Sequence, residues 1–447
     1  MKKRSNEALF GTDGIRSEFG KFPLDPSSIK RIGSSIEACM GPVRILMGMD
    51  TRISGPEIEG LICDGIDSRS DIFSTGVVPT PALSYNVATG PFDLGIMITA
   101  SHNVWSDNGI KLFGPDGEKL PDETQDRIEE IFYSNDVFDT AGSRNGITSF
   151  DGLENYVNFV TSGFSGIKPD VSGVLLDCAN GAVSGAAPAV YSKLGISHTL
   201  FNISPDGKNI NSGCGSMEPG FLRGHIVSGE GQLGVAFDGD GDRVLMIDSS
   251  GKDLDGDFIL YIISKYLMES DPDYNPAIVG TIMSNLALER SLKGSGIRFF
   301  RSDVGDRHVY EEMKKRSAVL GGEQSGHIIY RTMQKTGDGI ITSLLFLKAL
   351  EFLKLSVSEA SELYIPFPQI IKSIKIKEKR PLDSWEELNI MTGNFNKEYG
   401  DNSRILIRYS GTEKKIRLMI ESEDENVINK NLEIFEDFLI SEIGEDK

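Results

Sequence analysis

Three times along this chain an apolar run ends in a short polar loop and a second apolar run leaves it, and this recurrence limits the available folds more than composition does. Leu94-Gly95-Ile96-Met97-Ile98 drives into Thr99-Ala100-Ser101-His102-Asn103, and Gly109-Ile110-Lys111-Leu112-Phe113 returns. Leu233-Gly234-Val235-Ala236-Phe237 meets Asp238-Gly239-Asp240-Gly241-Asp242-Arg243, and Val244-Leu245-Met246-Ile247 leaves it. Ala318-Val319-Leu320 meets Gly321-Gly322-Glu323-Gln324-Ser325-Gly326-His327, and Ile328-Ile329-Tyr330 follows. Short apolar runs bounded by turn residues read as strands, so each unit is a strand, a polar loop and a return strand closed by a glycine turn.

Helical stripes alternate with these strands. Ile29, Ile32 and Ile36 follow Pro26-Ser27, and Ile128, Ile131 and Phe132 follow Pro121. The runs around 258–267 and from Gly339 to Leu355 are too apolar for exposed helices. Strand, polar loop and helix in succession is the order of an α/β domain. The tail from about Pro368 differs, with strand-like alternation at 370–376, further strands at 405–407 and 416–420, and a closing helix burying Leu432, Phe435, Phe438 and Leu439. The expected fold class is therefore α/β: three similar α/β domains with mixed sheets, plus a smaller C-terminal α+β domain. The boundaries fall at 1–148, 149–253, 254–366 and 367–447, the first within a polar linker at Asn135 to Ser149.

A chain of 447 residues with a net charge of −20 has room for several cores and is ill suited to nucleic acid or anionic membranes. No secretory signal or membrane-length apolar run occurs, and Cys39, Cys63, Cys178 and Cys214 form no CxxC pair. A cytoplasmic location is the simplest expectation.

The loops carry the chemistry. Asp238, Asp240 and Asp242 alternate with glycines, which lets three carboxylates curl around one hard cation; without a cation they would repel one another. An EF-hand is ruled out because its glycine and glutamate positions hold Arg243 and Ser249. Where phosphate must also be held, Mg²⁺ fits better than Ca²⁺. Arg408, Ser410, Gly411 and Thr412 combine a guanidinium, hydroxyl donors and a glycine into an anion cradle. Glu323, Ser325 and His327 suit sugar hydroxyls. Ser101 lies between Ala100 and His102, which is no G-x-S-x-G hydrolase elbow, and no Walker loop is present. A serine sharing a chain with a metal loop, a hydroxyl-reading loop and a phosphate cradle points to phosphoryl transfer on a polyol through a serine phosphate.

With these motifs in order, the chain resembles the α-D-phosphohexomutase superfamily over essentially its whole length. The carriers are Thr99 to Asn103 with Asn108-Gly109-Ile110-Lys111, Asp238 to Arg243, Gly322 to His327, and Arg408 to Glu413. Phe10-Gly11-Thr12-Asp13-Gly14-Ile15-Arg16 and the Gln at 324 resemble the amino-sugar branch; the phosphomannomutase/phosphoglucomutase branch usually has Met in that place.

The resemblance implies four domains around a central cleft and a phosphoserine at Ser101. It also implies one Mg²⁺ per site held by Ser101, Asp238, Asp240 and Asp242, and transfer between glucosamine 6-phosphate and glucosamine 1-phosphate through a 1,6-bisphosphate. Glucosamine or glucose 1,6-bisphosphate would serve as activator. Ser101, His102, Lys111 and Arg243 take catalytic roles, Lys111 as general acid/base provided that its pKa is lowered. Arg16, Glu323, Ser325, His327, Arg408, Ser410, Gly411, Thr412 and Arg417 would bind substrate. A phosphosugar is the expected partner; an activating kinase and a homodimer are left open. Ser17, Val104, Tyr409 and Lys414 depart from the superfamily's pattern at loop-shape positions. The alternatives are a mutase for mannose or glucose phosphates and a silent phosphosugar-binding protein.

Overall fold

The computed structural model describes residues 8–11, 13–67, 69–134, 146–410 and 414–445. It divides into two compact units, one made of 1–283 with 296–363 and the other of 284–295 with 364–447.

The larger unit contains three mixed sheets. The first orders its strands Ile15–Glu18, Asp107–Phe113, Leu94–Ile98, Arg44–Met49, Asp71–Val77 and Ile147–Ser149. The last four are parallel neighbours, and Asp107–Phe113 returns antiparallel with Lys111 opposite Met97. The second sheet runs Asp253–Leu254, Val244–Asp248, Leu233–Phe237, Val174–Asp177, His198–Phe201. The third runs Arg298–Ser302, Ala277–Thr281, Leu320–Gly322, Ile328–Tyr330.

In all three, a strand of the parallel set passes through a polar loop into an antiparallel return. The recurrence seen in the sequence is thus a recurrence of topology. Leu94–Ile98 and Leu233–Phe237 are buried along their whole length, as strands covered on both faces must be. That burial fixes where each polar loop emerges.

Helix Pro26–Met40 starts at Asp25, whose side chain accepts from the Ser28 amide, and turns Ile29, Ile32 and Ile36 into the core. It crosses helix Gly55–Gly65 at Gly33 and Gly65. A methyl group at 65 would lie 1.9 Å from the Lys30 carbonyl oxygen, backbone that cannot yield cheaply. Gly65→Ala is therefore expected to cost about 1–3 kcal/mol, read as a lower urea midpoint. Gly224→Ala, in helix Gly220–Val227 where a methyl group meets nothing within 4 Å, should instead add about 0.5–1 kcal/mol. Equal midpoints for the two variants would contradict this packing.

Two expected boundaries differ from the sheets. Residues 135–145 of the anticipated linker lie outside the described residues, but Ile147–Ser149 is the edge strand of the first sheet, so a boundary after 148 cuts it. A boundary after 253 likewise cuts Asp253–Leu254, the edge strand of the second.

The smaller unit is a three-stranded antiparallel sheet ordered Gln369–Lys375, Lys415–Ser422, Ser403–Tyr409. Leu432, Phe435 and Leu439 of helix Glu425–Ile443 are buried in its core, with Phe438 packed at the margin. Helix Glu386–Tyr399 adds Leu388 and Phe395. Asn285, before helix Leu286–Gly294, exchanges two hydrogen bonds of 3.0 Å with the Phe367 backbone, which ties the 284–295 segment into this unit. Among the described residues no helix is long and apolar enough to cross a membrane.

Candidate active site

In the larger unit the three polar loops meet. Ser101, reached from strand Leu94–Ile98, donates its hydroxyl to Asp238 Oδ2 at 2.7 Å, and His102 Nδ1 lies 3.2 Å from the serine Oγ. The approach needs a glycine opposite: a Cβ at Gly239 would sit 2.6 Å from the Ser101 carbonyl oxygen. Burial, followed by Arg243 and Arg16, pushes the His102 imidazole down to about 4, so the ring is neutral near pH 7.

Asp238, Asp240 and Asp242 are buried, each with a carboxylate oxygen within 4.8 Å of the others. Thr80 donates to Asp240 Oδ2 at 2.6 Å, and Lys111 Nζ reaches Asp240 Oδ2 at 2.8 Å and Asp242 Oδ2 at 3.0 Å. At Asp238, burial and then the charges of Asp242 and Asp240 outweigh Arg243 and hold the carboxyl well above the ordinary range. Burial would raise Asp242 as well, but Lys111 and His327 outweigh it and hold Asp242 well below. Asp240 Oδ1 and Asp242 Oδ1 are buried with no hydrogen-bond partner in the structure. Orphaned carboxylate oxygens in a group of hard donors fit a divalent cation.

Lys111 differs from what the sequence suggested. Acid/base duty was tied to a lowered pKa. Burial does pull the ammonium down, but Asp13, Asp240 and Asp242 surround it and hold its pKa well above the ordinary lysine value. With these neighbours it is a fixed positive charge. Arg243 donates its backbone amide to Asp238 Oδ1 at 3.1 Å, and its side chain lies beside Asp242.

The remaining predicted residues are placed unevenly. Arg16 pairs with Asp13, inside the loop that Gly11 and Gly14 close. Glu323 accepts from the Gly305 amide at 3.0 Å, and Ser325 is exposed. His327 is buried: its Nε2 accepts from the Gly337 amide at 3.0 Å and its Nδ1 faces Asp242 at 3.7 Å, so the ring braces the aspartate loop.

In the smaller unit, Arg408 and Arg417 stand directly opposite on paired strands. Burial and then Arg417 lower the Arg408 pKa, and Arg417 Nε is buried without a hydrogen-bond partner in the structure. Like charges placed opposite invite an anion between them. Ser410 is buried beside them in sequence; Gly411 and Thr412 lie outside the described residues. Tyr409, one of the departures, exchanges hydrogen bonds with the Arg380 backbone at 2.9 and 2.7 Å and so anchors its strand end.

Sequence reasoning passed over several residues of this site. Asp13 draws Lys111, Lys119 and Arg16, which outweigh burial and keep its carboxyl well below the usual range. Lys119 in turn reaches Asp306 at 2.6 Å, which brings in the start of helix Asp306–Arg316. Asp50, Arg52, Thr80 and Asn211 also belong here. The pair Asp50 and Arg52 at the end of an apolar strand was a usable signal; nothing local marks Asn211.

Comparison with known proteins identifies the family. The family description phosphoglucomutase/phosphomannomutase matches as α/β/α domain I over 7–138, α/β/α domain III over 255–367 and the C-terminal domain over 373–436. The chain belongs to this family, the α-D-phosphohexomutases. Its class is that of an isomerase, an intramolecular phosphotransferase, with metal dependence a property of the family.

Relatives include proteins named phosphoglucosamine mutase from Koribacter versatilis, 39% identical over 98% of this chain and 97% of that one, and from Ruminiclostridium cellulolyticum, 40% identical over 94% and 96%. Among solved structures, a phosphoglucomutase/phosphomannomutase family protein from Burkholderia thailandensis aligns with a TM-score of 0.79 at 20% identity over 97% of both chains. Aspergillus fumigatus N-acetylphosphoglucosamine mutase, solved with GlcNAc-6P and magnesium, aligns with a TM-score of 0.69 at 16% identity over 94% and 93%. At these identities the structural likeness speaks for the fold.

Proposed function

We propose that this chain is a phosphoglucosamine mutase, interconverting glucosamine 6-phosphate and glucosamine 1-phosphate through a phosphoserine at Ser101 and a 1,6-bisphosphate. The single observation that carries the reading is the Ser101 hydroxyl held 2.7 Å from Asp238, inside a trio of buried aspartates. His102 Nδ1 lies 3.2 Å from that hydroxyl, but among the described residues no third residue orients the ring as a hydrolase triad requires. A serine facing carboxylates makes sense as a phosphoryl carrier whose charge is balanced by cations.

In the forward direction the P–Oγ bond of phosphoserine breaks as a bond forms from phosphorus to the sugar O1. The O1 proton is taken up in turn by the released serine oxygen, so that Ser101 is left as a hydroxyl to be rephosphorylated from the 6-position of the turned bisphosphate. In-line transfer of this kind needs positioning and charge neutralisation more than covalent chemistry. Asp238, Asp240 and Asp242 with Ser101 would hold Mg²⁺, which when bound supplies positive charge to the phosphoryl oxygens. Lys111 and Arg243 provide the protein's own positive charge beside Ser101, and His102 places a ring nitrogen within reach of its oxygen. Glu323 and Ser325 present an acceptor and a donor for sugar hydroxyls, while His327 and Arg16 brace their loops. Arg408, Arg417, Ser410, Gly411 and Thr412 would supply an anion cradle for a phosphate group. The division into four domains belongs to the same reading, with the first two boundaries moved past the edge strands.

The relatives named phosphoglucosamine mutase support the amino sugar as substrate. Purified protein with a hexose 1,6-bisphosphate activator is expected to favour glucosamine 6-phosphate over mannose 6-phosphate and glucose 6-phosphate by at least about tenfold in kcat/KM, a difference of about 1.4 kcal/mol in transition-state binding. Preference for a neutral hexose would replace the amino sugar with that substrate, and binding without turnover would favour a silent phosphosugar-binding protein.

A further inference from the structure

Ser101 sits at φ +52, in the left-handed region that non-glycine residues enter at a cost of about 1–3 kcal/mol. Such a conformation persists only when its surroundings impose it, and here they do so through one side chain. Arg52 is 1% exposed and paired with the equally buried Asp50. Its guanidinium uses all five N–H donors. Nε donates to Asp50 Oδ2 at 2.9 Å; Nη1 donates to the carbonyls of Val104 and, at 3.0 Å, Asp107; Nη2 donates to the carbonyls of Ser101 at 3.0 Å and Asn103 at 2.9 Å.

Asp50 closes the circuit, because its Oδ2 accepts from Thr99 Oγ1 at 2.6 Å and Thr99 Oγ1 accepts from the Ser101 amide at 2.8 Å. From the second sheet's side of the unit, Asn211 Nδ2 donates to the same Ser101 and Asn103 carbonyls at 2.9 and 3.1 Å. Both backbone polar groups of the serine are therefore held from beneath, by residues that leave its hydroxyl free to carry a group.

We propose that Arg52, with Asp50 and Asn211, is a positioning clamp that fixes the Ser101 backbone so that Oγ holds one position while its charge changes between hydroxyl and phosphate. The inference rests on Ser101 being the phosphoryl carrier. A carrier gains and loses about two negative charges each cycle, and a loop held only by its own side chain would shift with them. A buried guanidinium bonded to four backbone carbonyls does not depend on that charge. Lysine could not substitute, since an ammonium offers three donors from a single point rather than a planar fork.

The test uses the full-length chain with Arg52→Lys, Arg52→Met and Asn211→Ala. Thermal midpoint, phosphate occupancy of Ser101 by mass spectrometry, and kcat and KM per folded, phosphorylated molecule are measured for each. A carrier displaced by about 1 Å is expected to lose about 10²-fold in kcat with KM for the sugar phosphate nearly unchanged, and Arg52→Lys should fare little better than Arg52→Met. Asn211→Ala removes two of the carbonyl contacts without disturbing the buried ion pair, so it serves if the Arg52 variants do not fold; about a tenfold loss of kcat per folded molecule is expected, with a midpoint lowered modestly because alanine takes the φ +59 of position 211 less readily than asparagine. Wild-type kcat in the folded variants, full activity in Arg52→Lys, or a loss confined to KM or to the folded fraction would overturn the clamp. Wild-type protein that turns over with no phosphate on Ser101 would instead overturn the carrier reading beneath it.

Discussion

Ser101→Ala is expected to lower mutase turnover by about 10⁴-fold or more while leaving the fold intact, in line with removal of a reacting nucleophile from an assembled site. The separation of activity from stability follows from how the residue is held. Its amide and carbonyl are bonded by Thr99, Arg52 and Asn211, none of which touches the hydroxyl. Alanine loses the hydrogen bond to Asp238, which keeps the Arg243 amide as a donor, and the 3.2 Å contact with His102 Nδ1. That loss is worth about 1 kcal/mol. Kinetics with an activating bisphosphate and the mass of the protein before and after its addition make the check. The wild type should gain one phosphoryl group and the variant none; a variant that turned over at the wild-type rate would exclude serine-borne transfer.

What the sequence disclosed and what it hid divide along a physical line. The three hairpin returns were legible because an apolar strand on each side left each polar loop only one place to go. Asp238, Asp240 and Asp242 were legible because three carboxylates in five residues need an explanation wherever they lie. Helix Glu386–Tyr399 was missed because only Leu388 and Phe395 are buried, a stripe too thin to read. Ile147–Ser149 read as linker because all three of its residues are exposed at a sheet edge. Asn211 was opaque for another reason. The backbone carbonyls it bonds carry no sequence signal, and they lie more than a hundred positions away.

Lys111→Met should have the second large effect, and on two separate measurements. The lysine is 1% exposed and is the ammonium shared by Asp13, Asp240 and Asp242, while methionine matches its shape without the charge. Removing one partner from a buried charge group costs about 3–5 kcal/mol, because the carboxylates left behind are desolvated and unpaired. The metal-free variant is therefore expected to unfold at a clearly lower temperature than the metal-free wild type. A divalent cation bound by the same carboxylates would replace the missing charge, so added Mg²⁺ should raise the midpoint of Lys111→Met more than that of the wild type. Turnover should fall by about 10²-fold or more even at saturating Mg²⁺, since a positive charge beside the transferred phosphoryl group is lost from a buried site. If the two metal-free proteins unfolded together, the lysine would not be what balances the aspartates. If Mg²⁺ stabilised both equally, the cation and the ammonium would not share those carboxylates.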